Sequence, residues 1–181
     1  VAFVRERLAF IKEHAQHEDA CVQPELEKRI PAQAKVIAAD HAHHEAALAV
    51  VEAGLAEIEA TTGAARLARA ASLYREMNRF VASYLEHLDR EETEVLSAVW
   101  EHFDDAEILA MRGRIQAAIP PPRFAEWLRH WLPVLNPTEL AGMLAGMKAS
   151  APPEAFGRIT GLARDVLGAE AWGKIAARAG L

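Results

Sequence analysis

The sequence has little cysteine, few aromatic residues and no long apolar run. A single cysteine, Cys21, excludes an intrachain disulfide framework and a zinc site built from several cysteines. No apolar stretch reaches the roughly 18 residues of a transmembrane helix, and no signal peptide is visible, so we predict a cytoplasmic protein without membrane contact. The net charge of −6 argues against nucleic acid as a partner.

Several familiar site motifs are absent as well. There is no Glu-x-x-His pair of the kind that builds ferritin-like di-iron sites, and no His-Glu-x-x-His of a zinc protease. Glycine-rich phosphate loops and the Gly-x-Ser-x-Gly nucleophile motif are missing too. No serine or cysteine nucleophile lies in a supportive context, and a role other than that of an enzyme is the favoured prediction.

Hydrophobic residues make up 51% of the 181 residues, and their spacing indicates helices. Long helical segments are predicted over about residues 2–26, 32–59 and 65–102. With no strand pattern anywhere, the predicted fold class is all-α: an up-down helical bundle over residues 1–103, followed by an extension of five short helices over residues 104–181. The seam of the second segment follows the 4-3-4-3 spacing of a bundle helix, through Ile37, His41, His44, Leu48, Val51, Leu55 and Ile58.

Histidine is the unusual component of this chain. Seven of the eight histidines lie in the first 102 residues. Three of them have a glutamate four residues later, which places both side chains of each pair on one helix face. Each long segment carries one such pair on or beside its core-facing seam. The pairs are His14/Glu18, His41/Glu45 and His87/Glu91.

Carboxylates on core-facing seams need partners, because an unpaired buried charge is costly. The seams offer no well-placed lysine or arginine, whereas a divalent or trivalent cation would satisfy several of these side chains together. Imidazole plus carboxylate is a ligand set suited to iron, manganese or zinc. The sequence therefore predicts a metal site between the helices.

Helix geometry indicates which side chains can meet. In an antiparallel hairpin of the first two segments, Glu18 lies opposite His41 and His14 lies opposite Glu45. The pair on the third segment fits less well, because with a turn near Gly63 it would overshoot this level by roughly 9 Å. We therefore expect a longer loop after the second segment.

These residues resemble the hemerythrin-like (HHE) cation-binding domains. The resemblance covers about residues 1–103 and is carried by three segments: His14-Ala-Gln-His-Glu18, Asp40-His41-Ala-His-His44-Glu45 and Glu86-His87-Leu-Asp-Arg-Glu91-Glu92. It implies a four-helix bundle that holds one or two iron ions, which an oxo group could bridge, with manganese or zinc as alternatives.

The resemblance also implies a ligand set: His14, Glu18, His41, His87 and Glu91, the two glutamates acting as bridges. The family's first helix, which carries a further histidine, would lie upstream of Val1; otherwise a tail helix or a partner chain takes its place, and a homodimer is one such arrangement. Candidate substitute ligands, or neighbours of the ligands, are His17, His44 and Glu45.

The function implied by the resemblance is binding of O2 or a related small ligand, such as NO or peroxide, for sensing, storage or iron handling. Two alternatives stay open at this point. One is a di-iron oxidase or peroxidase on the same bundle. The other is a helical interaction protein in which the metal is structural or has been lost.

Overall fold

The computed structural model describes all residues from Val1 to Leu181, and it is built of helices without strands, which confirms the predicted all-α fold. The chain divides into two compact units, Val1–Ala118 and Ile119–Leu181. None of the helices combines the length and apolar character needed to cross a bilayer. The first unit contains α1 (Ala2–Cys21), α2 (Gln23–Arg29), α3 (Pro31–Ala60), α4 (Gly63–Arg90), a π-helical turn (Glu91–Val95), α5 (Leu96–His102) and α6 (Asp105–Ala118). The second unit contains α7 (Pro121–Trp131), α8 (Pro137–Ser150) and α9 (Pro153–Ala179).

Helix α3 lies against α4 along the predicted seam. It begins with Pro31 at its first position, where the missing amide costs no hydrogen bond. Gly54 lies where the side chains of α4 come close to α3, since a Cβ atom added there would lie 2.9 Å from Leu73 Cδ1 and closer still to the guanidinium of Arg69. All seven residues of the predicted α3 seam are buried, so the bundle-type spacing is confirmed.

Two apolar clusters stabilise the first unit, and they lie on either side of the histidines along the helices. The first cluster joins α1, α3 and α4 through Leu8, Leu48, Val51, Leu55, Ile58, Leu73 and Phe80. The second joins α2, α3, the π-helical turn, α5 and α6 through Leu26, Ile30, Ala34, Ile37, Val95, Ala98, Val99, Phe103 and Met111. The polar residues between the two clusters are therefore held by packed side chains on both sides.

The helix ends differ from the predicted ones at two places. The first predicted segment is two helices, because α1 ends at Cys21 and Pro24 lies in the first turn of α2. The buried amide of Gln23 donates a 2.8 Å hydrogen bond to the carbonyl of Ala34, which fixes α2 on α3. The prediction of a longer loop after α3 was wrong. Helix α4 begins at Gly63, whose φ is +59°, directly after a two-residue turn.

Helix α6 belongs to the first unit. It begins with a capping box, in which the amides of Asp104 and Glu107 each donate to the other's carboxylate at 3.0 and 2.9 Å. Its Met111 is buried in the second apolar cluster, and Arg114 donates to the carbonyl of Cys21 at 2.9 Å. The compact unit accordingly ends at residue 118, beyond the boundary at 103 that the sequence suggested. A tail helix thus packs on the bundle, but it carries no histidine.

The second unit packs three helices around an apolar core, which includes Leu128, Leu132, Leu140, Leu144, Ala163, Trp172 and Ile175. Helix α8 begins with a capping box, in which Asn136 Oδ1 accepts from the amides of Thr138 and Glu139 at 3.0 Å. Helix α9 is interrupted at Gly168, whose φ of +78° is not helical. Since α9 is two helical segments that meet at Gly168, the tail consists of five helical segments, as predicted.

Candidate metal centre

Four side chains from three long helical elements meet between the two apolar clusters of the first unit. They are Glu18 of α1, His41 of α3, His87 of α4 and Glu91 at the start of the π-helical turn, and one ligand atom from each lies within 4.8 Å of those of the others. Both imidazoles are buried, and the two carboxylates are each 21% exposed. The arrangement is compact enough for the four to act on one ion or a pair of ions.

The distances within the group follow the predicted pairing of helices. Glu18 Oε2 lies 3.5 Å from His41 Nε2, which confirms that these residues face each other across the α1–α3 pair. Glu91 Oε1 lies 3.3 Å from His87 Nε2, and the two imidazole centroids are 5.1 Å apart. Side chains lean toward the N-terminus of their own helix, so His41 leans away from the α3–α4 turn and His87 leans toward it. This lean takes up part of the overshoot expected from the sequence.

The helical geometry changes at Glu91 itself. Residues Glu91–Val95 form a π-helical turn between the α-helical segments α4 and α5. Such turns insert one extra residue into an α-helix and are frequent at functional sites. The hydrophobic spacing before and after this turn gave no sign of it.

Two aspartates bind the outer nitrogens of the histidines. Asp19 Oδ1 lies 2.7 Å from His41 Nδ1, and Asp40 Oδ2 lies 3.3 Å from His87 Nδ1. Arg90 Nη1 donates to the same oxygen of Asp40. A carboxylate that accepts the Nδ1 proton leaves Nε2 with its lone pair directed to the centre of the group, an arrangement typical of metal-binding histidines. Sequence reasoning assigned no role to either aspartate, although each is the chain neighbour of a predicted ligand.

The carboxylates at the centre are electrostatically crowded. Burial, followed by the charge of Glu18, raises the pKa of Glu91 to about 7. Burial and the charges of the same two glutamates raise the pKa of Tyr84 to about 12. Burial opposes a charge on His41, but the carboxylates of Glu18 and Asp19 outweigh it and raise the pKa of this imidazole to about 9. All three shifts are those expected where excess negative charge is held away from water.

The other two buried histidines are shifted the opposite way. Burial lowers the pKa of His87, an effect that Asp40 opposes and the neighbouring His41 reinforces. Burial and the proximity of His87 also lower the pKa of His44. The His44 ring lies 5.1 Å from the His87 ring and 5.5 Å from the Tyr84 ring. Both histidines thus favour the neutral form, which is the form that binds metals.

The remaining predicted ligands lie outside the group of four. His14 is nearest, with Nε2 3.3 Å from Glu18 Oε1 and a side chain that is 38% exposed. His44 is buried beside His87, whereas Glu45 is exposed and His17 is half-buried. The structure thus brings together four of the five ligands that the resemblance implied, with His14 at their edge.

The group of four fits a cation. Glu18 Oε2 and His41 Nε2 are both buried and have no hydrogen-bond partner, although they face each other. No lysine or arginine pairs with Glu18 or with Glu91. Buried polar atoms without partners are rare and costly, and a cation would satisfy both of them. Two imidazoles and two carboxylates suit iron, manganese or zinc.

Two cavities reach the group from different sides. A cavity of about 510 Å³ between α1, α3 and α4 is lined by His14, His41, His44, Tyr84 and His87, among others. A second cavity of about 260 Å³ is lined by both glutamates of the group and by apolar side chains such as Val95 and Leu96. A small molecule can therefore approach the group along either the imidazoles or the carboxylates.

One family model matches this chain. Residues 2–99, more than half of the 181, match the model of the hemerythrin HHE cation-binding domain. The matched range contains all four residues of the group and ends in α5. No curated protein and no solved structure is significantly similar to the chain.

Proposed function

Since the chain belongs to the hemerythrin HHE cation-binding family, we propose that it is a non-heme iron protein that binds O2 or a related small ligand such as NO or peroxide. The biological role of this binding would be sensing, storage or iron handling. The observation that supports this most is that Glu18, His41, His87 and Glu91 converge on one point. Two of them, Glu18 and His41, each have a buried polar atom without a hydrogen-bond partner.

These four side chains would hold the iron, with His14 as a fifth candidate beside Glu18. Iron in a ligand set of imidazoles and carboxylates supplies a redox-active Lewis acid with affinity for small diatomic ligands. The chain itself contributes orientation, since Asp19 and Asp40 fix the imidazole rings. Manganese and zinc suit the same donors and are separated from iron by metal analysis.

The larger cavity supports the proposal that the protein binds a small ligand. Four histidines and Tyr84 contribute to its lining, so a molecule inside it can meet imidazole and phenol groups beside the group of four. Tyr84 keeps its proton at neutral pH because its pKa is raised to about 12, and its hydroxyl can donate a hydrogen bond. Apolar residues such as Ile11 and Leu48 lie in the same wall and offer contacts to a nonpolar diatomic ligand.

Anaerobic reconstitution with ferrous iron tests this proposal. We expect wild-type protein to retain iron through gel filtration and to develop a charge-transfer absorption that responds reversibly to O2 or NO. The His87→Ala variant removes a buried group member, and His102→Ala removes an exposed histidine of α5 as the matched control. Equal iron retention in both variants would contradict the site, and iron retention without any optical response would contradict the ligand.

A second candidate function is a di-iron oxidase or peroxidase on the same bundle. The observation that favours it is the donor set, which contains as many carboxylates as imidazoles. Continuous consumption of peroxide in the presence of a reductant would support it, whereas reversible binding without turnover supports the first candidate. If reconstituted protein retains no metal, the alternative of a helical interaction protein takes their place.

A further inference from the structure

The outer face of the long helix α4 carries an uncovered apolar stripe. Leu67, Tyr74 and Val81 follow one another at intervals of seven residues, Leu85 follows after four more, and all are exposed. Trp100 is exposed further along, on α5. Residues at this spacing share one side of a helix, and a contiguous apolar patch of this kind is typical of an interaction surface.

The charges beside the stripe are separated along the helix. Arg75 and Arg79 lie in its first part, and Glu86 and Asp89 lie in its second part. All four side chains are exposed, and none makes an ion pair within the chain. Each couple also places like charges three or four residues apart, which is unfavourable on an isolated helix. The helix therefore presents a basic half and an acidic half, both unpaired, along one apolar stripe.

Such a pattern is complementary to itself in the reverse direction. When two copies of α4 pair antiparallel about a two-fold axis near Ala82, Arg75 comes opposite Asp89. In an antiparallel pair the same flank of each helix meets, and helix spacing places Arg75 and Asp89 on that flank, whereas Arg79 and Glu86 lie further round the helix, away from the partner. The two-fold axis repeats the Arg75–Asp89 contact, so two oppositely charged pairs would flank a shared apolar centre.

We propose that the face of α4 formed by Leu67, Tyr74, Val81 and Leu85 is a homodimer interface, with a second copy of this chain as its occupant. The apolar stripe supplies the buried centre, and the separated charges set the antiparallel direction. The proposal does not depend on which metal or small ligand the chain binds.

Sedimentation equilibrium of the full chain, with and without metal, gives the first readout. We expect a reversible dimer in both states. The variant R75E/R79E replaces attraction by repulsion at both Arg75–Asp89 contacts, so we expect its dissociation constant to rise at least about 10-fold. The control R112E/R178E reverses two exposed arginines that belong to α6 and α9 and should leave the dimer unchanged.

A charge exchange makes the test specific. The variant E86R/D89R should also fail to dimerise, but its mixture with R75E/R79E should form a heterodimer, because every contact is then complementary. Tyr74→Glu, which places a charge inside the stripe, should give a monomer without touching the arginines. Circular dichroism of each variant establishes that it is folded.

Three results would overturn the proposal. One is a wild-type chain that stays monomeric at every concentration. Another is a dimer that survives R75E/R79E as well as it survives the control, which would assign the interface to a different face. The third is failure of the mixed variants to pair although each is folded, which would leave the stripe to a different occupant, such as a helix of another chain.

Discussion

The two compact units have cores of opposite character. The centre of the first unit contains Glu18, His41, His44 and His87 between its apolar clusters, whereas the core of the second unit is aliphatic and aromatic, with Leu144 fully buried. Both are made of amphipathic helices with similar spacing. The same kind of helix packing can therefore hold a buried polar centre where apolar clusters lie on both sides of it.

This difference makes the stability of the first unit conditional. Metal binding and protonation change the free energy of its folded state, because they satisfy or neutralise buried groups. The second unit has no buried titratable group, so neither metal binding nor protonation should change its free energy of unfolding. Hydrogen exchange followed by mass spectrometry reads the two units separately in one sample, over residues 1–118 and 119–181.

The largest expected effect comes from His87→Ala. Metal in wild-type protein should slow exchange in the first unit only, by about 4 kcal/mol of opening free energy when free metal is a thousand times its Kd. In the variant this stabilisation should be lost, because a buried ligand is missing. A comparison of metal-free forms corrects for the cavity that the substitution leaves. Metal-dependent protection that persists in the variant would contradict the assignment of His87.

The converse change is Leu144→Ala in the second unit. Leu144 is 0% exposed, and truncating such a leucine removes apolar contacts and leaves a cavity, at a cost of about 2–5 kcal/mol. Denaturant unfolding followed by exchange of residues 119–181 measures this loss, and the metal content should stay at the wild-type level. Loss of metal together with the core packing would show that the two cores are coupled.

A smaller effect is expected from Asp40→Asn. An amide still fits beside Arg90 and His87, but it no longer accepts the Nδ1 proton with a full negative charge. Changes of this kind lower metal affinity by about 10–100-fold. A competition titration with a chromophoric chelator measures the affinity, and Asp165→Asn, an exposed position of α9, is the matched control. Equal affinities in the two variants would remove Asp40 from the centre.

The smallest expected effect is a pH dependence of the metal-free protein. The pKa of Glu91 is raised to about 7 from an ordinary value of 4.5, so the folded state takes up protons that the unfolded state has lost. Ionised Glu91 therefore destabilises the folded state increasingly as the pH rises from 4.5 to 7. Glu91→Gln should become progressively more stable than wild type over this interval.

With metal bound we expect the opposite order of stability: Glu91→Gln should be less stable than wild type, because the variant lacks a charged ligand. Chemical unfolding of both proteins at several pH values, with and without metal, measures the two differences. A gap between the metal-free proteins that does not grow with pH would show that Glu91 carries no buried charge.

The amino-acid pattern predicted much of the fold because helix seams follow from spacing alone. The α3 seam was confirmed, and so was the contact of Glu18 with His41. Helix interruptions were harder, because Val22, the π-helical turn after Arg90 and Gly168 change the backbone without breaking the hydrophobic pattern.

The site was predictable at the level of ligand types and helix faces. The outer partners Asp19 and Asp40 were missed, because which of several neighbouring carboxylates reaches an imidazole nitrogen depends on helix rotation and rotamers. The level of His87 along the bundle was predicted wrongly, because residue counts from the turn do not include the direction in which side chains lean. Offsets of a few ångströms determine which side chains can bind the same ion, and residue spacing does not reveal them.

Metal content of the reconstituted protein, combined with X-ray absorption at the metal edge, tests whether the chain holds a metal between its helices. We expect at least one tightly retained ion per chain, with nitrogen and oxygen ligands, and loss of that ion in a double variant His41→Ala/His87→Ala. A wild-type protein that retains no metal, or a double variant that retains as much as wild type, would contradict this expectation.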